Sequence, residues 1–388
     1  MSHSSLPAPL RRADPKRSDV EWLMSHDPED QEWDAFVAAH RESQGEQTSM
    51  WGEARSAFRW QAWRVVIRRG GRILGGVQCF EFQIKSIIKV GYICRGPVVD
   101  TDVDPKLIWD AVLWAAAQRG ILYVAITFPY WGHDLLPAFL SRGGIARSAG
   151  MPPSVWSVAT STIDLTLDEA TLLGNVRKTA RKHIRRAEQA GLTVELGTEK
   201  DLPTFYQLML SLCRRREVSP NIPGEGFVAL LWTKLSRLGA CQLMVCKLNG
   251  ETVSSLFLIT LGSWVRAWRI GWSGEHDKSY PSELIYWESI LWAKRNGYRY
   301  FDMGGIDGQD ADELIAGRPA AAPFHSSTTF FKLGFGGDIL RMPGEYCYFP
   351  NPIFRFLFRI VGKRLLESRI ILQGLQRVYA ALFPRSGG

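Results

Sequence analysis

Hydrophobic and polar positions along the 388-residue chain fall into two runs with the same order of elements. In the first, helical spacing of apolar residues predicts a helix over 31–41. Alternation on either side of Arg69-Gly70-Gly71-Arg72 predicts a hairpin over 63–82, then a strand over 90–94 that meets Arg95-Gly96-Pro97. A helix over 105–118, stopped at Gly120, leads into a strand over 121–127. The second run begins with a hairpin over 242–260 around Asn249-Gly250, a pair that favours a type I′ turn. A strand over 264–271, an amphipathic helix over 284–295 closed by Asn296-Gly297, and a strand over 298–303 follow. Setting Gly120 on Gly297 also sets Ala116 on Ala293 and Tyr123 on Tyr300. The pattern predicts an α/β (α+β) protein made of two copies of one unit. The expected organisation is a disordered leader over 1–20, a first domain over 21–165, a second over 166–350 and a tail over 351–388.

The strongest local signal is Phe301-Asp302-Met303-Gly304-Gly305-Ile306-Asp307, followed by Phe330-Phe331-Lys332-Leu333-Gly334-Phe335-Gly336-Gly337. Paired glycines allow backbone conformations that a Cβ resists. Each pair stands beside a group able to do chemistry: Asp302 and Asp307 at the first, Lys332 at the second. A carboxylate at a strand end next to glycines organises a turn or accepts a proton, and both readings stand for Asp302.

Between the two runs, residues 175–188 pair a stripe of Val176, Ala180, Ile184 and Ala187 with Arg177, Lys178, Arg181, Lys182, Arg185 and Arg186, and Gly191 closes the segment. Like charges at helical neighbour spacing repel, so an anionic partner would relieve the segment. A solvated connector helix is the alternative. The formal charge of +8 leans the same way, towards nucleic acid, phosphorylated sugars or an anionic membrane face.

Composition narrows the classes. With 46% hydrophobic and 22% charged residues the chain is a folded protein, not a disordered one. The six cysteines show no CxxC, and several sit in apolar runs such as Leu243-Met244-Val245-Cys246, which fits a reducing cytoplasm. Histidines are scattered without metal-ligand spacing, so no metal or other cofactor is expected. No Walker loop or G-x-S-x-G occurs. The first 20 residues lack the apolar stretch of a signal peptide, and no apolar run approaches the ~18 residues of a membrane span.

Taken in order, Gln47-Thr48-Ser49-Met50-Trp51, Arg95-Gly96-Pro97, the basic segment leading to Gly191-Leu192-Thr193-Val194, Tyr300–Ile306 and Phe331–Gly337 resemble the FemX/FemA/FemB (FemABX) peptidoglycan aminoacyltransferases over roughly 30–350. The resemblance implies two GNAT-like domains, each a mixed twisted sheet flanked by helices. The long helical-hairpin arm of some members is not expected, because the basic segment runs straight to Gly191. It implies transfer of an amino acid from aminoacyl-tRNA to an amine of a lipid- or UDP-linked muropeptide.

The resemblance also assigns residues. Lys332 would steady the tetrahedral intermediate or the tRNA end, with the backbone amide of Phe331 donating to the oxyanion; a lysine led to solvent from a buried strand is the structural alternative. Arg216, with Arg215 as the neighbouring register, and Arg55 would grip a diphosphate. Tyr92, Trp268 and Trp272 would wall a groove unless they are core, and Gly304 and Gly305 would lie against the substrate. Arg177, Lys178, Arg181, Lys182 and Arg185 would contact tRNA. Acyl-CoA-dependent N-acyl transfer is the rival enzyme reading. Against it stands the lack of a Q/R-x-x-G-x-G/A loop before either predicted helix at 105–118 or 284–295. A non-catalytic RNA- or membrane-binding protein is the rival of another class. In the tail, residues 353–383 carry six Lys/Arg and one Glu among many Phe, Leu and Ile; such a segment lies in a membrane interface or packs against the second domain.

Overall fold

The computed structural model describes residues 10–15, 17–42, 44–84, 88–147, 157–320, 324 and 327–367. The chain divides into two compact units, Met1–Val155 with Met342–Pro384, and Trp156–Arg341 with Arg385–Gly388.

The first unit contains β1 (Leu10–Asp14), β2 (Arg17–Ser25), α1 (Gln31–Ala39), α2 (Ser49–Ser56), β3 (Gln61–Arg69), β4 (Arg72–Ile84), β5 (Ile88–Ile93) and β6 (Val98–Val99). Next come α3 (Pro105–Gln118), β7 (Ile121–Thr127), α4 (Leu136–Ser141), β8 (Ile145–Ala146) and, from the end of the chain, β16 (Glu345–Tyr348) and α12 (Pro352–Glu367). Its sheet runs β1-β2-β3-β4-β5-β7-β16-β8, with β6 paired to β4. Among the described residues only β5 and β7 of this sheet pair in parallel. Trp63, Val65, Ile67 and Val77 of the sheet close on Trp109, Val112 and Ala116 of α3.

The second unit contains β9 (Ala159–Asp164), α5 (Glu169–Asn175), α6 (Lys178–Gln189), β10 (Thr193–Leu196), α7 (Leu202–Arg215), α8 (Glu225–Ser236), β11 (Cys241–Leu248), β12 (Glu251–Leu261) and β13 (Trp264–Trp272). It continues with α9 (Pro281–Arg295), β14 (Tyr300–Ile306), α10 (Gly308–Ile315), α11 (Thr328–Leu333) and β15 (Asp338–Arg341). The sheet order is β10-β11-β12-β13-β14-β9-β15, and among the described residues only β13 and β14 are parallel.

The duplication read from the sequence is therefore structural. Each unit has an antiparallel hairpin, a third strand, a helix of 14 or 15 residues and a strand parallel to that third strand, with the two-residue β6 intervening before the helix in the first unit. Gly120 (φ +65°) and Gly297 (φ +80°) end the two helices in the left-handed region where a Cβ is strained. Asn249 (φ +51°) and Gly250 (φ +85°) both have positive φ, as a type I′ turn requires. The basic helix passes through Gly191 into β10 without an inserted hairpin. All six cysteines are unpaired, and five are buried.

Three expectations change. Residues 10–14 and 17–25 are sheet strands, not leader; Val20, Trp22 and Met24 alternate into the core opposite Arg69, Ile67 and Val65. Residues 1–9 lie outside the described set. The division falls at Val155/Trp156, because β9, a Thr- and Ser-bearing strand without a strong apolar pattern, lies between β14 and β15. Finally, β16 leaves the second unit's sequence and inserts between β7 and β8, a long-range pairing that local pattern cannot register.

Candidate active site

The site is built where β13 and β14 part. Their ladder pairs Trp264–Arg266 with Tyr300–Asp302 and stops there. Two residues later Gly304 takes φ +79°, and the pairing of β14 with β9 slips between Asp302 and Gly305. Asp302, fully buried, fixes this departure: Oδ1 accepts from the Gly304 amide at 2.8 Å and from the Thr160 hydroxyl of β9. A Cβ at position 304 would meet the Ala267 carbonyl oxygen at 2.9 Å and Lys332 Nζ at 3.2 Å. The glycine is thus required for both conformation and space.

Lys332 approaches from α11, a short helix capped by Ser327, whose Oγ accepts from the Phe330 amide at 3.1 Å. Its Nζ donates to the Gly305 carbonyl at 2.7 Å. Burial lowers the Lys332 pKa to about 8; the Asp302 carboxylate opposes that shift, while Arg269 and Arg216 reinforce it. The ammonium is therefore a cation in a partly dehydrated, net positive setting, poised to change charge near neutrality. Phe331 packs edge-on against Tyr286 (5.4 Å between centroids) and Phe335 (5.4 Å), forming an apolar wall behind the lysine.

Several sequence assignments are corrected here. Lys332 lies on a helix, not a strand. The Phe331 amide donates to the Ser327 carbonyl at 3.2 Å, so helix formation takes the donor that was expected to face an oxyanion. Asp302 organises the turn, fully buried and bonded to Gly304 and Thr160. Asp307 caps α10, accepting from the Gln309 and Asp310 amides at 2.8 and 2.9 Å.

Arg215 and Arg216 differ in their contacts. Arg215 Nη2 donates to the Trp272 carbonyl at 2.8 Å, its Nη1 donates to the carbonyl of Ser273 and, at 3.2 Å, to Ser211 Oγ, and its guanidinium covers the Trp272 ring, so it holds the loop after β13. Arg216, at the C-terminal cap of α7, is exposed and makes no ion pair or hydrogen bond from its side chain among the described residues. Its charge acts on Lys332. Trp268 packs on Phe257 (5.3 Å) and Phe227 (6.3 Å), while Trp272 Nε1 bonds the Glu275 carbonyl at 3.0 Å; both rings are half-buried.

On α6 the predicted stripe of Ala180, Ile184 and Ala187, with Val176 before it, is buried. Two of the basic residues are occupied. Arg177 stacks on Phe330 and bonds its carbonyl, and Arg181 Nη1 donates to the carbonyls of Leu173 (3.1 Å) and Gly174 (2.7 Å). Lys178, Lys182, Arg185 and Arg186 are exposed with no ion pair among the described residues. With Leu173 and Gly174 they line an open depression between α5 and α6.

In the first unit, Arg55 is buried on α2 with its guanidinium over Trp60, 5.1 Å from the ring centroid. Burial lowers its pKa, and it forms no ion pair among the described residues. Tyr92 on β5 faces Thr127 Oγ1 at 3.3 Å, and burial raises its phenol well above the usual range. Pattern reading missed Thr160, Ser327 and Arg269. Thr160 acts through a hydrogen bond to Asp302, 142 residues away, Ser327 is a local cap whose S-x-x-F spacing could have been read, and Arg269 was visible only as the charge flanked by Trp268 and Trp272.

Residues 174–313 match the acetyltransferase (GNAT) domain family. A lipid II:glycine glycyltransferase of Staphylococcus aureus (strain bovine RF122 / ET3-1) is 28% identical over 195 residues, 46% of this chain and 45% of that protein. The structure of FemX superposes with a TM-score of 0.71 at 19% identity, covering 86% of this chain and 99% of FemX. The chain has the FemX fold. A further likeness in fold is L-PGS from Bacillus licheniformis, with a TM-score of 0.50 at 14% identity over 89% of this chain and 98% of that one. The chain spans less than half the length of the curated relatives that it matches in sequence.

Proposed function

We propose that the protein moves an aminoacyl group from aminoacyl-tRNA to an amine of a peptidoglycan precursor, a lipid- or UDP-linked muropeptide. The observation that carries the proposal is Lys332 Nζ, held at the Gly305 carbonyl where β13 and β14 separate. In this reading the acceptor amine attacks the ester carbonyl, the new C–N bond forms, and the C–O bond to the terminal ribose breaks. The amine loses a proton and the ribose oxygen gains one. A cation beside the reacting carbonyl stabilises the developing oxyanion, and a group titrating near 8 can hand a proton to the leaving oxygen. Arg216 and Arg269 add positive potential for the phosphates of either substrate. The exposed Lys178, Lys182, Arg185 and Arg186 give the tRNA a basic surface, and the unpaired Arg55 is suited to a diphosphate of the acceptor.

The acyl-CoA alternative fares worse at the helix that follows β13. A pyrophosphate cradle needs successive free amides at a helix start. Here Tyr280 enters in the left-handed region and Pro281, with no N–H, is the first helical residue. The corresponding α3 starts with Pro105 behind Asp104, whose carboxylate already accepts from the Lys106 amide.

The test supplies labelled aminoacyl-tRNAs with UDP- and lipid-linked muropeptides to the purified protein. Label should enter a muropeptide, and ribonuclease treatment of the donor should abolish it. Equal transfer from an acyl-CoA without tRNA would overturn the donor assignment.

A further inference from the structure

Helix α12 turns two different faces outward and inward. On the inner face, Phe358 packs tilted on Phe349 (4.7 Å between centroids), and Arg355 lies over Tyr348 and donates to the Arg142 carbonyl at 3.5 Å. Both contacts stay within the first unit. On the opposite face, Ile353, Phe356, Leu357 and Ile360 are 48–67% exposed. At about 100° per residue these four fall within an arc of about 100°, centred opposite Arg355 and Phe358. A helix held by one side and apolar on the other is unusual for a surface in water.

We infer that this outward stripe inserts into the interface of an anionic lipid bilayer, laying the first unit on the membrane by α12. Charge selects the occupant. Residues 353–388 carry Arg355, Arg359, Lys363, Arg364, Arg369, Arg377 and Arg385 against the single acid Glu367. A second copy of the chain would bring the same positive charge to the contact, and so would the chain's own residues after 367. An anionic headgroup layer brings the opposite charge, and aliphatic and phenyl side chains flanked by arginines fit its boundary with the acyl chains. The helix lies on the surface: among the described residues no helix is long and apolar enough to cross a membrane. The inference adds a membrane to the lipid-linked arm of the proposed reaction, yet it stands on the helix geometry and is read without any turnover.

The experiment is co-sedimentation of the full chain with phosphatidylcholine vesicles, with and without about one third phosphatidylglycerol. The wild type should pellet with the anionic vesicles and release at high salt. The double variant F356E/I360E should lose about tenfold or more in partitioning, with unchanged circular dichroism and melting temperature. The control Leu238→Glu, an equally exposed site in the second unit, should bind as the wild type does. A wild type that stays in the supernatant, or a double variant that pellets as well, overturns the inference. So does a wild-type dimer that the double substitution splits, since the stripe then meets a second copy. Transfer to a soluble UDP-linked acceptor should be the same in wild type and double variant, so failure of the membrane contact and failure of the reaction are read separately.

Discussion

Arg177 lays its guanidinium 3.5 Å from the centroid of the Phe330 ring and donates from Nη2 to the Phe330 carbonyl at 3.0 Å. Its own amide donates to the Gly334 carbonyl at 2.8 Å. One residue thus grips the middle and the C-terminal end of the short helix that carries Lys332. A six-residue helix has little intrinsic stability, so its position depends on such tertiary contacts. Arg177→Ala should lower kcat by about ten- to a hundredfold through misplacement of Lys332, with the KM for the acceptor nearly unchanged. Arg177→Lys should fail to rescue, because an ammonium cannot both stack flat and donate in plane. An Arg177→Ala variant with changed tRNA affinity and intact kcat would show that the arginine serves the nucleic acid instead.

Gly304→Ala forces a Cβ onto the Ala267 carbonyl at a positive φ. The expected cost is about 1–3 kcal/mol of stability, visible as a lowered melting temperature, together with loss of transfer. Gly250→Ala is also strained at φ +85° but has nothing within 4 Å, so it should destabilise without touching turnover.

Much of this fold was legible in the chain because the decisive signals are local. Paired glycines, Asn249-Gly250 and the two amphipathic helices fix conformations within a few residues, and the repeated order of elements exposes the duplication. The stripe of Ala180, Ile184 and Ala187 was likewise readable from spacing alone. What escaped is non-local. Which of Arg215 and Arg216 is free depends on the carbonyls of Trp272 and Ser273, more than fifty residues away. The role of Asp302 depends on Thr160, and the reach of β16 into the first sheet depends on β7 and β8. Burial and pairing partners decide such cases, and neither is written in a local pattern.

Salt dependence tests the basic surface. If Lys182 and Arg185 neutralise phosphates, the double variant K182A/R185A should bind aminoacyl-tRNA more weakly at low salt. The slope of log affinity against log salt should also become shallower by about 0.7–0.9 per charge removed. An unchanged slope would mean that α6 is a solvated connector. Arg181→Ala should act mainly on stability, since its guanidinium serves the Leu173 and Gly174 carbonyls.

The pH profile follows from the lowered Lys332 pKa. The working form is the ammonium, so kcat/KM in the free enzyme should fall above about pH 8, and Lys332→Arg should push that limb out of range. Stability has the opposite sign. Folded Lys332 releases its proton near 8 whereas the unfolded side chain holds it to 10.5, so the unfolded state binds more protons between those values and stability rises with pH across that window. Lys332→Met should remove this rise, as followed by urea unfolding at pH 7.5 and 10.

The most direct measurement is single-turnover transfer by Lys332→Met with aminoacyl-tRNA and muropeptide both saturating. A loss of about a hundred- to a thousandfold in rate, with the affinities for both substrates kept, is the expected result. A variant that turns over at the wild-type rate would contradict the placement of the reaction beside Lys332.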